Sequence, residues 1–178
     1  MQLAVLILFA TRDLGLSAGA IGLAYAFGGV GCIIAAASAE RLSSRFGVGT
    51  VIVHGLMLTA VGWQAFGLVS GPVWFATLVL GVAMLVFDFG AVLYAINYLA
   101  LRQAITPDRL MGRMTATMRF LTVAAAPLGS LAGGALATAI GLRNTLLTVG
   151  VLALALTAGA VLWSPVRQHR TLPVVPAE

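Results

Sequence analysis

The sequence is poor in charged residues and contains no lysine. Only 8% of its 178 residues are charged, and all ten basic residues are arginine. Soluble globular domains carry roughly a quarter charged residues, so this chain has too few charges to cover a surface in water. A water-soluble fold is therefore not expected, and the hydrophobic fraction of 61% indicates that lipid is the solvent for most of the chain.

Residues for catalysis, metal binding and disulfide bonding are also scarce. The single cysteine, Cys32, lies inside an apolar run and has no internal partner. His54 and His169 have no metal-binding partner at a usable spacing. Residues 88–90 spell the DFG motif of protein kinases, but a chain without lysine cannot supply the kinase lysine. No enzyme activity, metal site or cofactor is predicted.

Five apolar runs approach or exceed the ~20 residues that a helix needs to cross a bilayer. They cover residues 21–39, 50–69, 72–99, 115–142 and 145–163. The opening run, residues 1–10, would extend only ~15 Å as a helix and is interpreted as the tail of a sixth span whose beginning is absent. The sequence thus predicts an all-α integral membrane protein, with a membrane domain over residues 1–163 and a mobile tail over residues 164–178.

Arginines are distributed unequally between the two sides of these spans. One side receives Arg12 and Arg143. The other side receives Arg41, Arg45, Arg102, Arg109, Arg113, Arg119, Arg167 and Arg170. Loops rich in basic residues face the cytoplasm, so the side with eight arginines and the C-terminus are predicted to be cytoplasmic. The net charge of +5 is explained by this topology without a nucleic-acid partner.

Several residues predict helix ends, bends and packing. Ser17 is a candidate cap for the first complete span, and Pro72 suits the first turn of the third. Trp63 lies deeper in its span and is predicted to pack internally. Pro127 removes a backbone donor and is predicted to bend the fourth span.

The fourth span also holds a GxxxG pair, Gly129 and Gly133. Such spacing lets two helices approach closely. The pair is compatible with packing inside the chain or with dimerisation. Bent, glycine-rich helices suit a protein that changes shape, and they also occur in static bundles.

Asp88 is the only charged residue between residues 73 and 100, and it lies ~5 Å from the middle of the third span by helical rise. An ionised carboxylate at that depth is costly, and desolvation favours its neutral form. Asp88 is therefore a candidate proton- or cation-binding group. The alternatives are a carboxylate neutralised by an arginine and one that faces water at a cavity mouth.

Arg119, about one turn inside the fourth span, is the candidate partner of Asp88; alternatively it snorkels to the headgroups. Met84 shares a helical face with Asp88 and is predicted to line the same substrate or proton pathway. Tyr94 and Asn97 lie broadly opposite, and there we expect packing or hydrogen bonds between helices.

Three stretches carry a family resemblance. Residues 97–113, NYLALRQAITPDRLMGR, resemble the cytoplasmic connection between helices 10 and 11 of major facilitator superfamily exporters. Residues 126–134, APLGSLAGG, resemble helix 11 of the branch that exports siderophores and macrolide-type drugs. Residues 40–47, ERLSSRFG, are a degenerate match to the short basic loop between helices 8 and 9. In the first stretch, Thr106 is predicted to cap a short helix that begins at Pro107.

The resemblance implies helices 8 to 12, and the end of helix 7, of a twelve-helix transporter. Such proteins have two six-helix halves around a central cavity, each built from two inverted three-helix repeats. The implied protein is a proton-driven exporter of small organic molecules in the cell membrane, which needs the missing N-terminal half as its partner. Conformational or gating roles are implied for Glu40, Arg41, Pro127, Gly129 and Gly133. The competing hypothesis is a transport-incompetent membrane module, either truncated or a packing subunit.

Overall fold

The computed structural model describes residues 2–163, apart from the side chains of residues 2–4, 108 and 163. This part of the chain forms six helices. They are α1 (Gln2–Arg12), α2 (Ala18–Phe46), α3 (Val48–Leu68), α4 (Val73–Ile105), α5 (Asp108–Ile140) and α6 (Leu142–Trp163). Helices α2 to α6 are long and apolar enough to cross a membrane. The predicted helical membrane bundle is confirmed, while the predicted tail, residues 164–178, lies outside the described residues.

The bundle has two ends, which we name after a glycine at each. The Gly47 end carries the α2–α3 and α4–α5 connections, and the Gly71 end carries the other three. Arg12 and Arg143 belong to the Gly71 end. The other described arginines lie toward the Gly47 end, and they are Arg41, Arg45, Arg102, Arg109, Arg113 and Arg119. The side predicted to be cytoplasmic is therefore the Gly47 end.

Helix α4 packs against α2 on one side and against α3 on the other. Glycines allow these backbones to approach closely. A Cβ atom placed on Gly31 of α2 would lie 2.5 Å from the carbonyl oxygen of Leu85, and one placed on Gly90 of α4 would lie 2.6 Å from the amide nitrogen of Thr59. In lipid, small residues at helix interfaces permit this close van der Waals packing. Helix α6 covers α3, whereas α5 contacts α6 and α1 and leaves most of its surface uncovered.

A buried apolar cluster near the Gly71 end includes α1, whose Phe9 has no exposed surface. The guanidinium carbon of Arg143 lies 5.3 Å from the centroid of the Phe9 ring. Arg143 also donates hydrogen bonds to the carbonyl oxygens of Gly67 at 3.4 Å and Val69 at 3.0 Å. The last carbonyls of a helix have no partner within the helix, so this arginine satisfies the end of α3 and ties α1, α3 and α6 together.

Aromatic rings fill the space between α3 and α4. The ring centroid of Trp63 lies 6.4 Å from that of Phe66 and 5.8 Å from that of Phe87. The prediction that Trp63 packs internally is confirmed. Its indole nitrogen is buried without a hydrogen-bond partner among the described residues.

Helix α2 is longer than its apolar run. Residues 40–47 were expected to form a short loop, but α2 continues to Phe46 and only Gly47 separates it from α3. The side chains of Glu40, Arg41 and Arg45 are exposed on the helix surface. A helix satisfies its own backbone hydrogen bonds in any solvent, so polar side chains alone do not end it.

The prediction of a capped short helix after α4 is wrong. Thr106 ends α4, and its hydroxyl donates to the carbonyl oxygen of Arg102 at 2.7 Å. Helix α5 then begins directly at Asp108 and runs for 33 residues, with Pro107 before it and no side-chain cap. Pro72 likewise precedes the first residue of α4 rather than occupying its first turn.

The predicted cap at the start of α2 is confirmed. The hydroxyl oxygen of Ser17 accepts the backbone N–H of Ala20 at 3.2 Å. This bond satisfies one of the donors that the first turn of a helix leaves unpaired. The sequence thus locates the start of α2 to within a residue.

Two helix junctions share one backbone geometry at opposite ends of the bundle. Gly47 joins α2 to α3 with φ 87° and ψ 145°, and Gly141 joins α5 to α6 with φ 86° and ψ 160°. Each glycine N–H donates to the carbonyl four residues earlier, that of Ser43 or of Ala137. A positive φ is strained for residues with a Cβ atom. The units α1–α3 and α4–α6 therefore repeat the same junction on opposite sides of the membrane, as in inverted three-helix repeats.

Candidate functional site

Asp88 lies near the middle of the 33-residue α4 and faces α2. A Cβ atom placed on Gly28 of α2 would overlap the Oδ2 atom of Asp88, and it would lie 3.6 Å from the Cβ atom of Met84. The absence of a side chain at Gly28 therefore makes room for the carboxyl group. Met84, which was predicted to accompany Asp88, does lie beside it, but its side chain is only 2% exposed.

The carboxyl group of Asp88 makes no hydrogen bond or ion pair with any residue that the structure describes. Its side chain is half-buried. Buried polar groups are normally paired, and an unpaired charge at mid-membrane depth is costly. Water, a cation or a hydrogen-bond donor at this position would therefore lower the cost of an ionised carboxylate.

Tyr25 and Cys32 flank Gly28 on the same face of α2, at intervals of three and four residues. The Tyr25 hydroxyl oxygen is buried without a hydrogen-bond partner in the described part of the chain. A phenol and a thiol thus lie about one helical turn to either side of the glycine that faces the Asp88 carboxyl.

A second polar contact joins α2 and α4 closer to the Gly47 end. The Ser43 hydroxyl donates to the Oδ1 atom of Asn97, and the Asn97 amide nitrogen donates to the carbonyl oxygen of Leu93 at 2.9 Å. Asn97 is 4% exposed. Of the two roles expected for Asn97, packing or a hydrogen bond between helices, the structure shows the hydrogen bond, which pairs a buried amide oxygen.

The helical bundle agrees with the outcome of a comparison with known protein families. A family model described as Major Facilitator Superfamily matches residues 1–178. The chain belongs to this superfamily. Its members are membrane transporters, so the family supports a role for this facilitator in transport across a membrane. Searches among curated proteins and among solved structures returned no match.

Arg119 of the facilitator does not meet Asp88. Its side chain is exposed on α5, and no ion pair joins it to Asp88 among the described residues. Helix α5 packs on α6 and α1 rather than on α4. The candidate pairing of Arg119 with Asp88 is therefore not formed among the described residues.

The residues for which the sequence implies a conformational or gating role lie on two helices, α2 and α5. Glu40 and Arg41 are exposed at the Gly47 end of α2. Pro127, Gly129 and Gly133 lie within α5, which stays helical through the proline; Gly133 is buried and Gly129 half-buried. The GxxxG pair thus faces partly into the bundle, whereas the proline is on an uncovered surface.

Sequence reasoning missed Gly28 and Tyr25 as neighbours of Asp88. Tyr25, Gly28 and Cys32 share one helical face and include two of the few polar groups in the first complete span. That periodicity is a signal in the sequence, but it does not say which helix the face contacts. The contact with α4 became evident only from the packing of the helices.

Proposed function

We propose that this facilitator is the C-terminal half of a proton-coupled exporter of small organic molecules, and that Asp88 carries the proton. The supporting observation is the unpaired carboxyl group of Asp88, held at mid-depth in the space left by Gly28. A carboxyl in such a place is neutral when protonated and costly when ionised. Loading and release of a proton would therefore follow access to water.

The polar surface of α5 supports a mechanism with two halves. Arg113, Thr117, Arg119 and Thr122 are all exposed on this helix. Charged side chains within spanning segments normally face a bundle interior or a water-filled cavity rather than lipid. The proposal therefore places α5 at a central cavity, where a second six-helix unit would cover it. Rocking of the two units against each other would open the cavity to one side of the membrane and then to the other.

The proton step follows from these positions. With the cavity open to the outside, the Asp88 carboxylate would take up a proton and become neutral. With the cavity open to the cytoplasm, it would release the proton to water and become charged again. The organic molecule would move the other way, binding when the cavity is open to the cytoplasm and leaving when it is open to the outside. Rocking of the two six-helix units would produce these two states of the cavity.

Transport should require a second half. Reconstituted alone in vesicles, the chain is expected to give no flux of organic substrates driven by a pH gradient. Co-reconstitution with an N-terminal six-helix unit of an exporter from the superfamily should restore flux together with proton counterflow. Measurements with a fluorescent dye as substrate and a pH probe inside the vesicles test both parts.

Two results would contradict the proposal. Robust gradient-driven flux by the purified chain alone would show a self-sufficient unit, such as a homodimer. Flux in the paired sample without proton movement would reject proton coupling. The competing hypothesis of a transport-incompetent module predicts no flux from the chain alone and no flux from the paired sample.

The proposal also places the Gly47 end in the cytoplasm. Single cysteines introduced at Ser44 and Pro107, in a Cys32→Ser background, are expected to be protected from a membrane-impermeant reagent in intact cells. Cysteines at Gly15 and Gly71 should react, because these residues lie at the other end of the bundle. Labelling of the Ser44 variant from outside would reverse the orientation.

A further inference from the structure

A groove with a volume of about 270 Å³ opens between α2, α3 and α4 toward the Gly47 end. Its wall is almost entirely apolar and includes Phe46, Leu58 and Leu93, while Thr50 and His54 are its polar members. Along α3 the groove runs from Thr50 to Leu58, or ~12 Å by helical rise. The groove therefore offers a narrow apolar slot with its polar part near one membrane surface.

Two arginines lie on the last turns of α2, beside the Phe46 end of the groove. The guanidinium carbon of Arg45 lies 5.4 Å from the ring centroid of Phe46, whose side chain is 50% exposed. Arg41 is exposed one turn earlier on α2, and neither arginine forms an ion pair in the described part of the chain. Glu40 is also exposed there, which leaves two positive charges against one negative charge on this turn of the helix.

His54 adds a third polar group at the groove. Its Nδ1 atom lies 2.8 Å from the carbonyl oxygen of Thr50. A carbonyl only accepts hydrogen bonds, so the Nδ1 atom carries the hydrogen, and the Nε2 atom remains available to a ligand. The mouth can thus recognise an anionic group by charge and by hydrogen bonding.

We infer that this groove binds one anionic phospholipid. An acyl chain would lie along the apolar wall, and the headgroup phosphate would contact Arg45 and Arg41. The guanidinium group matches phosphate in charge and geometry, and basic pockets between transmembrane helices recognise anionic headgroups. A lipid is the fitting occupant because the slot begins at the level of the helix ends and continues into the membrane-spanning part of α3 and α4.

The test compares phosphatidylglycerol with phosphatidylcholine of identical acyl chains, added to the purified chain in detergent. Native mass spectrometry should show one bound phosphatidylglycerol, retained at least fivefold more tightly than phosphatidylcholine, because a juxtamembrane arginine contributes about a fivefold gain toward an anionic headgroup. Thermal unfolding should shift upward with phosphatidylglycerol only. Neither readout depends on transport.

Two variants separate the headgroup contact from the acyl-chain contact. Arg45→Gln should weaken phosphatidylglycerol binding about fivefold, whereas Arg109→Gln, at an exposed arginine of α5 outside the groove, should leave it unchanged. Leu58→Trp should obstruct the slot and reduce binding of both lipids, although it removes no charge. Arg45→Lys, which keeps the charge, controls for a folding effect at this position.

Several outcomes would overturn the inference. Equal retention of the two lipids would show ordinary annular contact without headgroup recognition. Equal losses in Arg45→Gln and Arg109→Gln would show a general charge effect at this membrane surface. Unchanged binding in Leu58→Trp would show that no acyl chain occupies the groove.

Discussion

Asp88→Asn is expected to reduce transport driven by a pH gradient to background while the bundle stays folded. The amide is nearly isosteric with the carboxyl but cannot take up or release a proton. Because Asp88 makes no ion pair with any described residue, the change leaves no cation unpaired, and the free energy of unfolding should change by less than about 1 kcal/mol. Thermal unfolding in detergent and pH-dependent flux in the two-half sample measure the two effects separately.

Arg119 provides the control for this prediction. If Asp88 were the counter-ion of Arg119, Asp88→Asn would leave a cation unpaired within the membrane and cost ~3 kcal/mol or more. Folded yield would then fall, and adding Arg119→Gln would restore it. The exposed position of Arg119 on α5 predicts instead that the single and double variants unfold at the same temperature. Normal proton-driven flux in Asp88→Asn would reject the carrier role.

Gly31→Leu is expected to prevent the packing of α2 on α4. Even the Cβ atom of the new side chain would lie 2.5 Å from the carbonyl oxygen of Leu85. That oxygen belongs to the backbone of α4, so the helices must separate. Overfilling a packed core costs typically ~1–3 kcal/mol, and a leucine facing backbone should reach or exceed the upper part of that range.

The matched control is Gly29→Leu, two residues away on the same helix. A Cβ atom placed on Gly29 meets nothing within 4 Å, and leucine has a higher helix propensity than glycine. This variant should unfold at the same temperature as the unchanged chain or slightly above it, whereas Gly31→Leu should unfold many degrees lower. Similar unfolding temperatures for the two variants would contradict the close approach of α2 and α4.

The spanning helices could be predicted from sequence because the bilayer sets their minimum length. Their ends were harder to predict, because a helix does not stop where its apolar run stops. Helix α2 continues past the charged residues Glu40, Arg41 and Arg45 and ends only at Gly47, where the backbone turns to a positive φ. Charge marks the membrane surface, and it does not mark the end of backbone hydrogen bonding.

Of the candidate site, the sequence predicted Asp88 but not the residues that surround it. Asp88 is conspicuous in the sequence because an acid in an apolar run is costly. Its neighbour Gly28 lies 60 residues earlier in the chain, and only the packing of α2 beside α4 brings them together. Depth along the membrane follows from counting residues, which is why Arg119 was a reasonable partner. Lateral neighbours depend on which helix faces fit, and α5 fits α6 and α1.

The one-residue junctions at Gly47 and Gly141 have a consequence for synthesis at the ribosome. A single residue lies between α2 and α3, and again between α5 and α6, so neither pair is joined by a non-helical loop. We therefore expect each pair to insert as a hairpin, one with its turn at the Gly47 end and the other with its turn at the opposite end. The chain is thus expected to insert through two helical hairpins of opposite orientation.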